Sequence, residues 1–241
     1  MLKSDFKLEY SSSTSRVTFP IVVVAAGSSR RMNGLDKMFL EINGIPVIAR
    51  TLLAFEDSPL ISNIILVTRN ESIVDMQKIV QKYNISKVKD IVEGGTDRFS
   101  SVLNGMAQLE NSDDFVLIHD GARPLVDGKT IGNVCAALQN YPAAVCAVPI
   151  KDTVKFADAM GNVDYTPDRS KLYSAQTPQG VSVKLYKQAV NSIKDFSLVT
   201  DDAYVMEAAG YEVKIVMGDY RNIKITTVED IALAEILSKG E

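Results

Sequence analysis

Residues 22–48 read "VVVAAGSSRRMNGLDKMFLEINGIPVI", and the first few settle what kind of sheet the chain builds. The run Ile21 to Val24 is apolar and β-branched at every position, so both faces of that strand must be covered. A strand buried on both sides belongs in the middle of a parallel sheet with helices above and below. The run then breaks into two alanines, a glycine and two serines, and the loop beyond carries Arg30, Arg31 and Lys37. In open α/β sheets ligands sit beyond the carboxyl ends of the strands, so three cations at this position point to an anion.

The rest of the chain repeats the pattern. Apolar runs predict strands at 17–24, 62–68, 88–92, 114–119, 143–148 and 212–216. Helical periodicity falls between them at about 46–56, 71–82, 97–110, 127–139, 182–193, 200–209 and 227–238. This is the βαβ rhythm of a doubly wound, mostly parallel α/β sheet with helices on both faces. Residues 151–180 depart from it: polar and apolar residues alternate around Gly161-Asn162, as in a β-hairpin, and predict an inserted arm at about 150–178. A lone hairpin is marginal in water, so the arm is expected to pack on the body or on a second subunit. Residues 1–16, Ser-rich and with Asp5 and Glu9, read as a loose tail before a single domain at 17–241.

Composition narrows the function. The 241 residues are 46% hydrophobic and 23% charged with a formal net charge of −4, enough apolar material for a core and the wrong sign for a general nucleic-acid or membrane-surface binder. No apolar run approaches the ~18 residues of a bilayer span, and the tail lacks the apolar stretch of a secretory signal. Its acidic residues weigh against a transit peptide, which leaves the cytoplasm as the default. Cys135 and Cys146 have no CxxC spacing and read as buried small apolar residues; the single histidine, His119, cannot build a His-rich metal site and is expected to be structural.

Two familiar phosphate loops are absent. The chain has no GxxxxGK[ST], and "AAGSSRRMNG" has only Gly27 where a GxGxxG fingerprint needs three spaced glycines. Taken alone, a Gly-Ser loop with arginines is as well explained by turn chemistry as by a ligand.

Seven segments read in order are more specific. AAGSSRRM…DK, EGGTDRFSSVLNG (93–105), HDGARP (119–124), PIKDTVK (149–155), DRSKLYSAQTPQG (168–180), VTDDAYVMEAAG (199–210) and NIKITTVEDIALAE (222–235) occur in the order and spacing of one family. From about residue 17 to 238 the chain resembles the 2-C-methyl-D-erythritol 4-phosphate cytidylyltransferases of the non-mevalonate isoprenoid pathway, nucleotidyltransferases with a Rossmann-like sheet.

The resemblance implies transfer of CMP from CTP to 2-C-methyl-D-erythritol 4-phosphate, with Mg²⁺ as cofactor and a homodimer formed through the 150–178 arm. It implies that Ala25, Ala26, Gly27 and Ser29 line the nucleotide, that Gly95, Thr96 and Ser101 read the cytosine, and that Arg31, Lys37 and Lys224 act on the phosphates. It makes Asp120 the magnesium-associated carboxylate. It assigns Arg123, Thr153, Arg169, Thr177 and Thr200 to the sugar phosphate. Thr96 stands where many relatives have aspartate, which shifts cytosine recognition there towards backbone groups. The alternatives are a ribitol 5-phosphate cytidylyltransferase, which AAG, HDGARP and TDDAYVMEAAG disfavour, a sugar-phosphate nucleotidyltransferase using another base, and a catalytically silent nucleotide-binding protein.

Overall fold

The computed structural model describes residues 17–27 and 36–240. The predicted tail at 1–16 and the loop residues Ser29 and Arg31 lie outside the described residues. The central sheet contains β1 (Phe19–Val24), β4 (Ile61–Thr68), β5 (Val88–Glu93), β6 (Phe115–Asp120), β7 (Ala143–Pro149), β10 (Tyr173–Ser182) and β11 (Val213–Met217), in the order β11-β7-β10-β6-β1-β4-β5. Pairing is parallel between β1 and both β4 and β6, between β4 and β5, and between β7 and β11.

Why β1 takes the centre follows from its side chains. Ile21 and Val23 pack into the apolar layer on one face and Val22 into the layer on the other, all three fully buried. The first layer is covered by α1 (Val47–Glu56), α2 (Ile73–Lys82), α4 (Gly128–Ala137) and α7 (Glu229–Leu237), the second by α3 (Arg98–Met106), α5 (Val183–Ser192) and α6 (Asp202–Ala208). Helix α1 shows how the burial is achieved: Val47, Ile48, Leu52 and Phe55 recur at helical spacing and are fully buried. Each such side chain contributes about 1.5–3 kcal/mol relative to exposure. A small hairpin, β2 (Glu41–Ile42) and β3 (Ile45–Pro46), leads into α1 through Asn43-Gly44, both with positive φ, as a two-residue turn between twisted strands requires.

The predicted arm needs correction. Only β8 (Phe156–Ala157) and β9 (Val163–Tyr165) form the exposed hairpin. Residues 173–182 instead make β10, a ten-residue strand in the middle of the main sheet and antiparallel to both neighbours, β6 and β7. The sequence conceals it because its first seven residues, "YSAQTPQ", are mostly polar and include Pro178, a residue unsuited to a central strand. The chain tolerates that proline because pairing with β7 is interrupted between Ala175 and Gln179.

The cysteines are free and buried as expected, and burial pushes both thiols up to about 12.

Candidate active site

Backbone hydrogen bonds bring three carboxyl-end loops together. Ala25 N–H donates to the Val67 carbonyl (2.7 Å), Gly94 N–H to the Thr68 carbonyl (2.8 Å) and Gly121 N–H to the Val24 carbonyl (2.8 Å). Asp120, the last residue of β6, is thereby in register with Val24, the last residue of β1. Beyond these ends lies a cavity of 480 Å³, lined by Ala26, Gly27, Lys37, Gly95, Thr96 and Ser101 and floored by Arg98, Asp120 and Lys224. Ala25 is buried behind it and is not among the described residues that line it, and its N–H bond to Val67 holds the loop in place.

The glycine-rich side of this cavity is built by the start of α3. Asp97 caps the helix, accepting from Ser100 N–H at 2.7 Å, while the Ser100 hydroxyl accepts from Asp97 N–H at 3.1 Å, a reciprocal box that fixes the turn. The Ser101 hydroxyl donates to the Asp97 carbonyl (2.7 Å) and accepts from Gly95 N–H (3.0 Å), so this predicted base-reading serine also holds its own loop. Gly94 has no room for a side chain: a Cβ there would lie 2.4 Å from the Ala26 Cβ and 2.9 Å from the Ser101 Oγ.

At the cavity floor, charges are paired in a chain. Lys224 Nζ meets Asp120 Oδ2 at 2.7 Å, Arg98 Nε donates to Asp120 Oδ1 at 2.9 Å, and Arg98 Nη2 donates to Asp202 Oδ2 at 2.8 Å. The hydroxyl of Tyr186 donates to Asp202 Oδ1 at 2.9 Å. Burial alone would raise the Asp120 pKa, but Arg98 and Lys224 overcome it and hold the carboxyl well below the usual range. For Asp202 the balance falls the other way: burial dominates and its pKa is raised, despite Arg98.

His119 lies directly behind this floor, fully buried and edge-on to Phe55. Thr177 Oγ1 accepts from Asp120 N–H at 3.0 Å and lies 3.0 Å from His119 Nδ1; His119 Nε2 lies 3.2 Å from the Arg123 carbonyl. One proton arrangement satisfies all three contacts: Thr177 donates to Nδ1, and a protonated Nε2 donates to Arg123. Burial pushes the imidazole pKa down to about 3, so it is neutral at ordinary pH and its role is structural. The Thr177 hydroxyl, predicted to face the sugar phosphate, is committed to this inner network.

The last loop closes the site. Asn222, fully buried, donates through Nδ2 to the Thr177 carbonyl (2.8 Å), and its own carbonyl accepts from Arg123 Nη1 (2.7 Å). Ile225 N–H donates to the Ala122 carbonyl (2.8 Å), and Lys37 Nζ donates to the Ile225 carbonyl (2.9 Å). Lys224 is thus delivered between two pinned neighbours. A second cavity, of 320 Å³, is lined by Arg123, Gln176, Thr177 and Thr200 and shares Arg98, Asp120 and Lys224 with the first.

The structure therefore gathers Gly27, Lys37, Gly95, Thr96, Ser101, Asp120, Arg123, Thr177, Thr200 and Lys224 at two adjoining cavities. It does not bring Thr153 or Arg169 there: both are exposed on the arm, where Arg169 Nη1 donates to the Lys151 carbonyl at 2.5 Å. Two residues were missed by sequence reasoning. Arg98 stands inside the GGTDRFSS segment, and its position opening a helix beside a glycine pair was the available signal. Asp202 stands beside Asp201 at the start of the helix predicted at 200–209, and of the two Asp201 caps α6, accepting from Tyr204 N–H at 2.9 Å.

As a metal site the arrangement fits one role. Among the described residues no three His, Cys, Asp or Glu side chains converge, so a cage made wholly of protein is not available. Asp120 reaches the cavity with two oxygens, each taking one donated bond from Arg98 or Lys224. A carboxylate offers about four lone-pair sites, which leaves capacity for a magnesium ion whose remaining ligands are phosphate oxygens and water.

Residues 19–239 match the model of the family described as 2-C-methyl-D-erythritol 4-phosphate cytidylyltransferase (IspD). A protein of that name from Bacillus cereus is 42% identical over 219 residues, covering 90% of this chain and 96% of its own. One from Clostridium acetobutylicum is 42% identical over 221 residues, covering 90% and 96%. The crystal structure of 4-diphosphocytidyl-2C-methyl-D-erythritol synthase from Anaerococcus prevotii superposes with a TM-score of 0.83 at 34% identity, covering 92% of this chain and 96% of that one.

Proposed function

The chain belongs to the 2-C-methyl-D-erythritol 4-phosphate cytidylyltransferase family, and from that premise we propose how its residues divide the reaction. The enzyme transfers CMP from CTP to 2-C-methyl-D-erythritol 4-phosphate, giving 4-diphosphocytidyl-2-C-methyl-D-erythritol and pyrophosphate in isoprenoid biosynthesis. A phosphate oxygen attacks the α-phosphorus in line with the departing pyrophosphate. Such transfer depends on positioning and charge neutralisation more than on covalent help from the protein.

The observation that carries the division of labour is the wall between the two cavities, formed by Arg98, Asp120 and Lys224. CTP takes the larger cavity, its base against Gly95, Thr96 and Ser101 and its phosphates against Gly27, Lys37 and, by family resemblance, Ser29 and Arg31. The polyol phosphate takes the smaller one, beside Arg123 and Thr200. Lys224, between them, neutralises the two phosphates as they approach. No general base is required, since a phosphate monoester with a second pKa near ~6 is already largely ionised. Asp120 would hold Mg²⁺, which when bound neutralises charge on the triphosphate and its leaving group.

The arm supports a homodimer. Phe156, Met160, Val163 and Tyr165 are exposed on it, and its Thr153 and Arg169 line neither cavity of their own chain. In this reading they complete the sugar-phosphate site of a partner. Mixing Lys224→Ala with Arg169→Ala subunits should then restore part of the activity that each lacks alone. Among the described residues no helix is long and apolar enough to cross a membrane, in keeping with a cytoplasmic enzyme.

The direct test is pyrophosphate release from CTP and Mg²⁺ with methylerythritol 4-phosphate or ribitol 5-phosphate as acceptor, with UTP and ATP as controls. Release with CTP and methylerythritol phosphate is expected. Release with ribitol phosphate alone would overturn the acceptor and keep the nucleotide assignments.

A further inference from the structure

Of the three side chains that face both cavities, Arg98 has no role in the reaction as divided above, and it sits awkwardly for a cation. It is the first residue of α3, at the positive end of the helix dipole, and only 27% of its side chain is exposed. Two carboxylates compensate. Asp120 faces the cavities; Asp202 lies behind, 1% exposed, and lines neither. Asp202 therefore touches nothing bound in front of it. Its own oxygens are divided between Arg98 and Tyr186, itself fully buried.

A buried ion pair is weak evidence of stabilisation, because desolvation offsets its attraction. What the pair does provide is direction. The guanidinium is held at two separate nitrogens, Nε by Asp120 and Nη2 by Asp202, so its plane is fixed. With Asp202 absent, the multiply charged substrates would compete with Asp120 for Arg98 and draw it towards them. With Asp202 in place, Arg98 keeps Asp120 Oδ1 oriented while Lys224, on Oδ2, is able to turn to an incoming phosphate.

We propose that Asp202, braced by the Tyr186 hydroxyl, is a positioning residue for the reaction: it anchors Arg98 from behind, and through Arg98 it sets the orientation of Asp120 at the junction of the two substrates. The inference rests on the assignment of the two cavities given above.

The test compares Asp202→Asn, Tyr186→Phe and Arg98→Lys with the wild-type protein in steady-state turnover, together with calorimetric titration by CTP and Mg²⁺ and circular dichroism to measure the folded fraction. Misplacement near 1 Å costs on the order of 100-fold in rate, so Asp202→Asn should lower kcat per folded enzyme by about 10- to 100-fold while CTP affinity changes less than about 3-fold. Tyr186→Phe, which loses one hydroxyl, should lower kcat in the same direction by a smaller factor. Arg98→Lys keeps the charge without the two-point hold and should not restore the rate. Wild-type kcat in Asp202→Asn, or a loss that only follows the folded fraction, would overturn the proposal. If Asp202→Asn does not fold, Tyr186→Phe decides: unchanged kcat overturns it. A wild-type protein without turnover would overturn the cavity assignment, and this inference with it.

Discussion

The ammonium of Lys37 donates to the backbone carbonyl of Ile225, 2.9 Å away and 188 residues later in the chain. One contact thus joins the loop that follows the first strand to the segment that presents Lys224, and the two cations are tied before any phosphate arrives. Lys37→Ala removes this hydrogen bond, worth about 1 kcal/mol to the fold. It also removes a charge from the cavity proposed to take the triphosphate. The expected outcome is a loss of ~3–4 kcal/mol in kcat/KM, typical of deleting a preorganised charge-stabilising donor, with little change in the thermal midpoint. Near-normal kcat/KM would remove Lys37 from the machinery.

Gly94→Ala tests the shape of the wall proposed to face the base. The added Cβ would collide with Ala26 and Ser101, neither of which is the far end of a flexible side chain. Overpacking of this kind costs about 1–3 kcal/mol and here displaces the two loops that form the cavity wall. CTP binding measured by calorimetry should weaken at least tenfold; unchanged affinity would mean that the base does not lie against this wall.

Thr177→Val keeps the shape of the side chain and deletes its hydroxyl. The Asp120 N–H and the His119 Nδ1 would both lose their partner in a buried setting. Each unsatisfied group costs about 1–3 kcal/mol, so urea denaturation should show a loss of ~2–6 kcal/mol. A loss below 1 kcal/mol, on the order of one ordinary net hydrogen bond, would show that the His119–Thr177 link is not a strut of the site.

Asp97 gives the chain a pH-dependent cap. The N–H and hydroxyl of Ser100 hold its carboxyl below the ordinary value. A lowered native pKa means that the unfolded chain takes up the proton first, so the cap's contribution is complete above the unfolded value near ~4 and is lost as pH falls through the lower native one. Asp97→Ala should cost about 1 kcal/mol at pH 7, and the difference from wild type should shrink by pH 3. Urea midpoints at the two pH values check this; an equal difference at both would show that the cap is not acting through its charge.

How much of this was legible in the sequence depended on which force placed each residue. Strands β1, β4, β6 and β7 announce themselves because burial on two faces demands unbroken apolar runs, and each begins and ends within about two residues of its predicted limits. Strand β10 does not, because its buried polar residues are satisfied by partners distant in sequence. Gln176 Nε2 donates to the Asp219 carbonyl and Gln179 Nε2 to Asp201. The glycine loops and the cations pointed to an anion site only when the seven segments were read together, since a Gly-Ser loop with arginines is by itself as well explained by turn chemistry. The Arg98–Asp202 pair was not, since no local pattern tells a carboxylate that caps a helix from its neighbour that turns inward to meet an arginine 104 residues away.

The position of β10 also governs the order in which the protein can be completed as it is synthesised. Strands β6 and β7 follow one another in the chain but are not partners in the sheet; each pairs with opposite edges of β10, which is made later. Without residues 173–182, β6 and β7 have no strand to join them, and the Asp120 N–H has no Thr177 hydroxyl to accept from it. The floor of the two cavities thus depends on a strand that comes later in the chain than both of its neighbours in the sheet, and that seats between them like a keystone.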